Sequence, residues 1–248
     1  MSTAYTNGIP EKAMTSAEQP AHRNFHAKLD TLKQQLLVMS QRAEELLAVS
    51  LEAFLERDGG KAEAVLSADD EVDALEVELE ALAISLLALQ QPMARDLRFI
   101  VSALKIVGDL ERVGDHAVNI AQSALRMVAL KTTHTTPPEI IDMGVRARNM
   151  LSDALDAMMR QDGMLGREVC KRDDDVDALH EAMFGIVISN MREDPSAISI
   201  SLELLLVSRN LERVADLATN IAEDAVYLAE GKTIKHHLED RIAGIPAV

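Results

Sequence analysis

One segment of this chain is written twice. Leu110-Glu111-Arg112-Val113-Gly114-Asp115-His116-Ala117-Val118-Asn119-Ile120-Ala121 returns about a hundred residues later as Leu211-Glu212-Arg213-Val214-Ala215-Asp216-Leu217-Ala218-Thr219-Asn220-Ile221-Ala222. A repeat of that quality points to duplication, and a duplicated chain folds as two copies of one unit. It also builds the same polar constellation twice. Glu111, Asp115 and Asn119 stand at i, i+4 and i+8 and climb one helix face, as do Glu212, Asp216 and Asn220. Carboxylates and an amide are hard oxygen donors, a set suited to a cation.

A second acidic segment also recurs. Asp69, Asp73 and Glu76 share a face at i, i+4 and i+7, and Asp173, Asp177 and His180 occupy the same steps in the second half. Like charges at i, i+4 destabilise a helix by a few tenths of a kcal/mol. Stripes on consecutive antiparallel helices can face each other. At least four carboxylates then converge, an arrangement that calls for protons or a cation. Oxygen donors with at most one histidine select Mg, Mn, Ca or Fe before Zn or Cu. A single acidic pair in so acidic a chain is an ordinary solvated face; the duplication on two helices per half is what argues for a site. Arg112 and Arg213 follow the Glu of each motif, where they can pair locally or orient the carboxylates. His116 points about 100° off the Asp115 face and reads as a surface residue.

Periodicity supplies the rest of the architecture. Apolar residues recur every three or four positions from about Arg23 to Glu56, the pattern of one long amphipathic helix. Asp58-Gly59-Gly60 ends it, with glycine taking the left-handed conformation. Further helices are expected at about Lys61–Gln90, Met93–Leu130, Glu139–Gln161, Met164–Arg192 and Ser196–Glu230. Asp194-Pro195 reads as an N-cap followed by proline, and Gly231 as a stop. The expected organisation is a mobile tail over 1–20, a three-helix bundle over 21–131 and a linker over 132–138. A second bundle over 139–231 and a C-terminal tail over 232–248 complete it. Short loops make neighbouring helices antiparallel. The fold class is therefore all-α, two tandem pseudo-symmetric three-helix bundles of six long helices. The apolar set agrees: Leu, Ala, Val, Ile and Met dominate, with no Trp, and favour helix over strand.

A formal net charge of −16 argues against nucleic acid and anionic lipid, and suits cations or a basic protein surface. Cys170 is the only cysteine, so neither an internal disulfide nor a cysteine zinc site can form. No apolar stretch approaches the roughly 20 residues of a membrane span, and the polar first residues do not resemble a signal peptide; the expected location is the cytoplasm. Gly231-Lys232-Thr233 lacks the upstream glycine and strand of a phosphate-binding loop. No Glu-x-x-His pair of the di-iron enzymes occurs; Asp177-x-x-His180 is a lone echo. The chain is read as no enzyme. The alternatives are a metal-dependent, carboxylate-bridged enzyme of the di-iron class and a plain helical scaffold.

Gln90-Gln91-Pro92-Met93-Ala94-Arg95-Asp96-Leu97-Arg98, followed by the Leu110–Ala121 segment, resembles the PhoU family of phosphate-signalling accessory proteins. The resemblance covers roughly Phe25 to Gly231. It implies two three-helix bundles in a cytoplasmic, usually dimeric protein. It implies a negative regulator of the phosphate-starvation regulon that connects the phosphate ABC transporter with a membrane sensor histidine kinase. It also implies divalent metal (Mg, Mn, Fe or Zn) on the Glu/Asp-x-x-x-Asp motifs: Asp69 with Asp73, Glu111 with Asp115, Asp173 with Asp177, and Glu212 with Asp216. Asn119 and Asn220 continue those stripes. The second half departs from the pattern. His180 stands where the first half has Glu76, and Asp194-Pro195-Ser196 replaces the turn bearing Arg95, Asp96 and Arg98. That turn then has either a task of its own or a packing role between bundles.

Overall fold

A computed structural model describes residues 18–90, 92–131 and 134–234; residues 1–17 of the expected N-terminal tail, most of the C-terminal tail and Thr132-Thr133 of the linker lie outside them, while residues 18–20, assigned to the tail from the sequence, belong to the first helix. The described residues form helices and no strands. They are α1 (Glu18–Glu56), α2 (Gly59–Gln90), α3 (Ala94–Ala129), α4 (Pro138–Arg160), α5 (Gly163–Cys170), α6 (Asp173–Glu193) and α7 (Ile198–Glu230). A 3-10 turn over Pro195–Ala197 leads into α7. Helices α1, α2 and α3 pack on one another; α4, α5 and α6 pack on α7; and α3 and α7 pack together.

Two expectations are corrected. The helix expected over Met164–Arg192 is two helices, broken at Lys171-Arg172. The break sets Asp173, Asp174 and Asp175 in the first turn of α6, where the helix dipole stabilises negative charge. The first-half counterparts Asp69, Asp70 and Glu71 stand inside the unbroken α2. Nor do Gly59 and Gly60 end the first helix. Arg57 takes the left-handed conformation (φ 56), Asp58 caps the next helix, and both glycines belong to α2. Asp58 Oδ1 accepts from the backbone N–H groups of Gly60 (2.8 Å) and Lys61 (3.1 Å). The second half repeats this turn: Gln161 is left-handed (φ 54), and Asp162 Oδ1 accepts from the backbone N–H of Met164 and Leu165.

Other boundaries agree with the sequence. Gly231 ends α7 in the left-handed region (φ 72), and Asp194 accepts from the backbone N–H of Ser196 at 2.9 Å to cap the turn before α7. The core is continuous across both halves. It runs from Leu32, Leu36 and Leu47 in α1 through Ile106, Leu110 and Ile120 in α3 to Leu211, Val214 and Ile221 in α7.

Candidate functional site: paired acidic grooves

The acidic stripes do meet across their helices. In the first half Asp69, Asp73 and Glu76 of α2 interact electrostatically with Glu111 and Asp115 of α3. Burial, then repulsion from Asp73, Asp115 and Asp70, pushes the Asp69 carboxyl up to about 6. Glu76 rises through burial and then Glu80 and Asp73; Glu111 rises through burial and then Asp115 and Glu76. Glu80 continues the α2 stripe one turn beyond Glu76 and was absent from the sequence reading. So was Gly114: a Cβ there would stand 2.9 Å from Asp69 Oδ1, so the bare backbone is what lets that carboxylate lie against α3.

The second half repeats the design. Asp173 is pushed up to about 6 by burial and then by Asp216, Asp177, Asp174 and Glu212. Glu212 is raised by burial and by Asp216 and Asp177, against lowering by Arg213 and His180. Asp173 Oδ1 and Glu212 Oε2 are buried without a hydrogen-bond donor. His180 is tied to α7, with Nδ1 2.6 Å from Ser208 Oγ, which leaves Nε2 as the nitrogen it could offer a ligand. Asn119 is exposed and Asn220 half-buried on the continuing faces.

The arginines differ between halves. Arg112 turns back to the buried Asp109 (3.0 Å). Arg213 has Asn210 at the corresponding position and turns instead onto the site, 2.7 Å from Asp216 and 3.3 Å from Glu212. That asparagine has its own task. Asn210 Oδ1 lies 2.9 Å from His116 Nδ1, so His116 is a half-buried link between α3 and α7, not the surface residue its position in the motif suggests. Arg95 donates to Gln161 Oε1, and Arg98 lies beside Gly231 at the end of α7. The Arg95–Arg98 turn thus packs the first half onto the second.

The donor chemistry fits a hard cation: Asp173 Oδ1 has no hydrogen-bond donor and offers free lone pairs, and Glu212 Oε2, also without a hydrogen bond, is held only by the ion pair with Arg213. Among the described residues no three His, Cys, Asp or Glu side chains are gathered closely enough to hold an ion, so ligation would need the carboxylates to swing inward. No helix of the described residues is long and apolar enough to cross a membrane.

Known proteins share the sequence pattern and the fold. The PhoU domain model matches residues 36–124 and again 140–225. A phosphate-specific transport system accessory protein PhoU homolog from Clostridium acetobutylicum is 40% identical over 211 residues, covering 85% of this chain and 96% of that protein. A homolog of the same name from Caulobacter vibrioides is 39% identical over 201 residues, 81% of this chain and 87% of its own. The crystal structure of PhoU from Pseudomonas aeruginosa superposes with a TM-score of 0.82 at 34% identity, over 84% of this chain and all of that one (100%). PhoU from Streptococcus pneumoniae, a phosphate transport system regulatory protein, gives 0.78 at 29% identity, over 85% of this chain and 99% of that one. With the family domain matched twice, once on each half of a shared helical fold, this chain belongs to the PhoU family.

Proposed function

We propose that this protein is an accessory regulator of a phosphate-specific transport system. It represses the phosphate-starvation response and phosphate uptake by coupling the phosphate ABC transporter to a sensor histidine kinase. It acts as a cytoplasmic dimer, docking through its acidic grooves, and divalent metal on the carboxylates stiffens those grooves. Asp69, Asp73, Glu76, Glu111 and Asp115 would hold metal in the first half, with Asn119 at its margin. Asp173, Asp177, His180, Glu212 and Asp216 would hold it in the second, with Asn220 at its margin. The observation that carries this reading is the convergence of carboxylates from two helices in each half, at the cost of raised carboxyl pKa values. The phosphate-transport part of it is supported by the relatives, which are phosphate-specific transport accessory and regulatory proteins.

The test combines cells and purified protein. Replacing Glu111, Asp115, Glu212 and Asp216 by Ala is expected to derepress phosphate-starvation genes while the helical content is kept. Divalent metal is expected to raise the Tm of chelator-treated wild type and leave the quadruple variant unmoved, because only a ligand that binds the native state stabilises it. Unchanged repression by a folded quadruple variant would sink the regulatory role of these carboxylates. An unmoved wild-type Tm with every metal would sink the metal.

A further inference from the structure

The acidic stripe of α3 is half of a longer stripe. Leu97, Val101, Leu104, Gly108, Glu111 and Asp115 stand at i, i+4, i+7, i+11, i+14 and i+18, a single face of the helix. On α2 the stripe of Asp69, Asp73, Glu76 and Glu80 likewise continues to Ile84. The α2–α3 groove is therefore acidic at one end and apolar at the other. Its apolar end is open: Ile84 is 58% exposed and Leu97 40%.

Gly108 sits at the junction. It lies inside α3, where glycine is a poor helix former compared with alanine. Nothing in the folded chain asks for it, since a Cβ there would meet no atom within 4 Å. A mid-helix glycine on a half-exposed face, with open space above it, suits a second backbone lying close against it. The second half carries Arg209 at this position and Phe184 in place of Glu80, so the vacant floor belongs to the first half alone.

We infer that the α2–α3 groove receives an amphipathic helix from a partner protein. Its apolar face covers Ile84 and Leu97, its backbone crosses at Gly108, and its lysine- or arginine-bearing end meets Asp73, Glu76, Glu80, Glu111 and Asp115. Charge complementarity selects this occupant. The acidic end carries those five carboxylates, and Arg112 beside them, paired with Asp109, offsets Glu76 and Glu111 only in part. The inference rests on the docking reading above and specifies the groove and the class of partner.

The probe is a designed peptide helix with leucines on one face and lysines along the adjoining flank at one end. Companion peptides reverse the charges to glutamate or break the helix with a central proline. Wild-type protein is expected to bind the Leu/Lys helix in a salt-sensitive manner and to reject both companions. Gly108→Gln is expected to weaken binding at least about tenfold, and to do so in a fully folded protein because its side chain enters open space. Phe184→Ser, in the other half, is expected to leave binding unchanged. Equal binding by Gly108→Gln, or by the proline-broken peptide, overturns the inference. A wild-type dimer that Gly108→Gln dissociates also overturns it, assigning the groove to a second copy of this chain. If Gly108→Gln binds normally while the quadruple Ala variant does not bind, acidic docking survives and the helix-in-groove geometry fails.

Discussion

Asp69 and Asp173 each keep a proton to about pH 6 in the folded chain, against an ordinary value of 3.8. Between those values the native state binds more protons than the unfolded chain. Stability therefore rises as pH falls through about 6 towards 4 and is lowest, for these groups, near neutrality. Chelator-treated protein carrying Asp69→Asn and Asp173→Asn is expected to melt higher than wild type at pH 7 and to show a flatter dependence of Tm on pH between 7 and 5. Parallel pH profiles would show that the two carboxyls do not carry the repulsion. The stripes were legible in the sequence because i, i+4 spacing fixes a shared helix face. Gly114 was not, because its meaning lies in the 2.9 Å gap to Asp69, an atom on another helix. The partner of Arg213 was not either, because only the folded geometry shows it 2.7 Å from Asp216.

At the scale of an element, the two hairpin turns show where periodicity stops being informative. It located both turns, but the left-handed residues are Arg57 and Gln161, while Gly59 and Gly163 open the following helices. A Gly-rich turn says that one residue nearby is left-handed without saying which; the aspartate cap decides it. Asp162→Ala is expected to cost about 1 kcal/mol in chemical denaturation, the ordinary worth of an N-cap, and Gln161→Gly to stabilise by less than that. A loss below a few tenths of a kcal/mol for Asp162→Ala would mean the Met164 and Leu165 N–H groups find water as good a partner. The break between α5 and α6 was hidden for a related reason. Val169, Val176, Met183 and Val187 keep helical spacing across it, while Arg172 leaves the helix and binds Asp153 of α4 at 2.5 Å.

Across the whole molecule, the halves are joined by charge as well as by apolar packing. Lys105 of α3 reaches the buried Asp224 of α7 at 3.2 Å, and Arg126 of α3 reaches Glu203 of α7 at 2.7 Å. Both carboxylates lie among the buried polar residues and each has one oxygen without a donor. Removing one partner of such a pair strands the other. Arg126→Met is expected to destabilise by about 2 kcal/mol, below the range for fully buried pairs because the guanidinium is half exposed. A double change of Arg126→Met with Glu203→Met is expected to recover most of that loss. With one core running through both halves, thermal unfolding is expected as a single transition; two resolved transitions would show that 21–131 and 139–231 behave as separate units, the division proposed from the sequence. Duplication was legible from the repeat, but the seam was not. Lys105, Arg126, Glu203 and Asp224 fall outside the shared motif, and nothing in one sequence pairs them across such a separation.

The unlike use of Arg112 and Arg213 gives the molecule a heading. Duplication alone would produce a body that reads the same from either end. Because Arg213 leans onto Glu212 and Asp216 while Arg112 pairs with Asp109 and acts on Glu76 and Glu111 only through space, the counter-cation is bound within one groove and stands beside the other. A positively charged visitor would meet less competition at the first-half groove, and at the other it would have to displace a resident guanidinium before it could settle. If both grooves dock partners as proposed, two surfaces descended from one ancestor would fill in order, and one body would seat two unlike neighbours without confusing them.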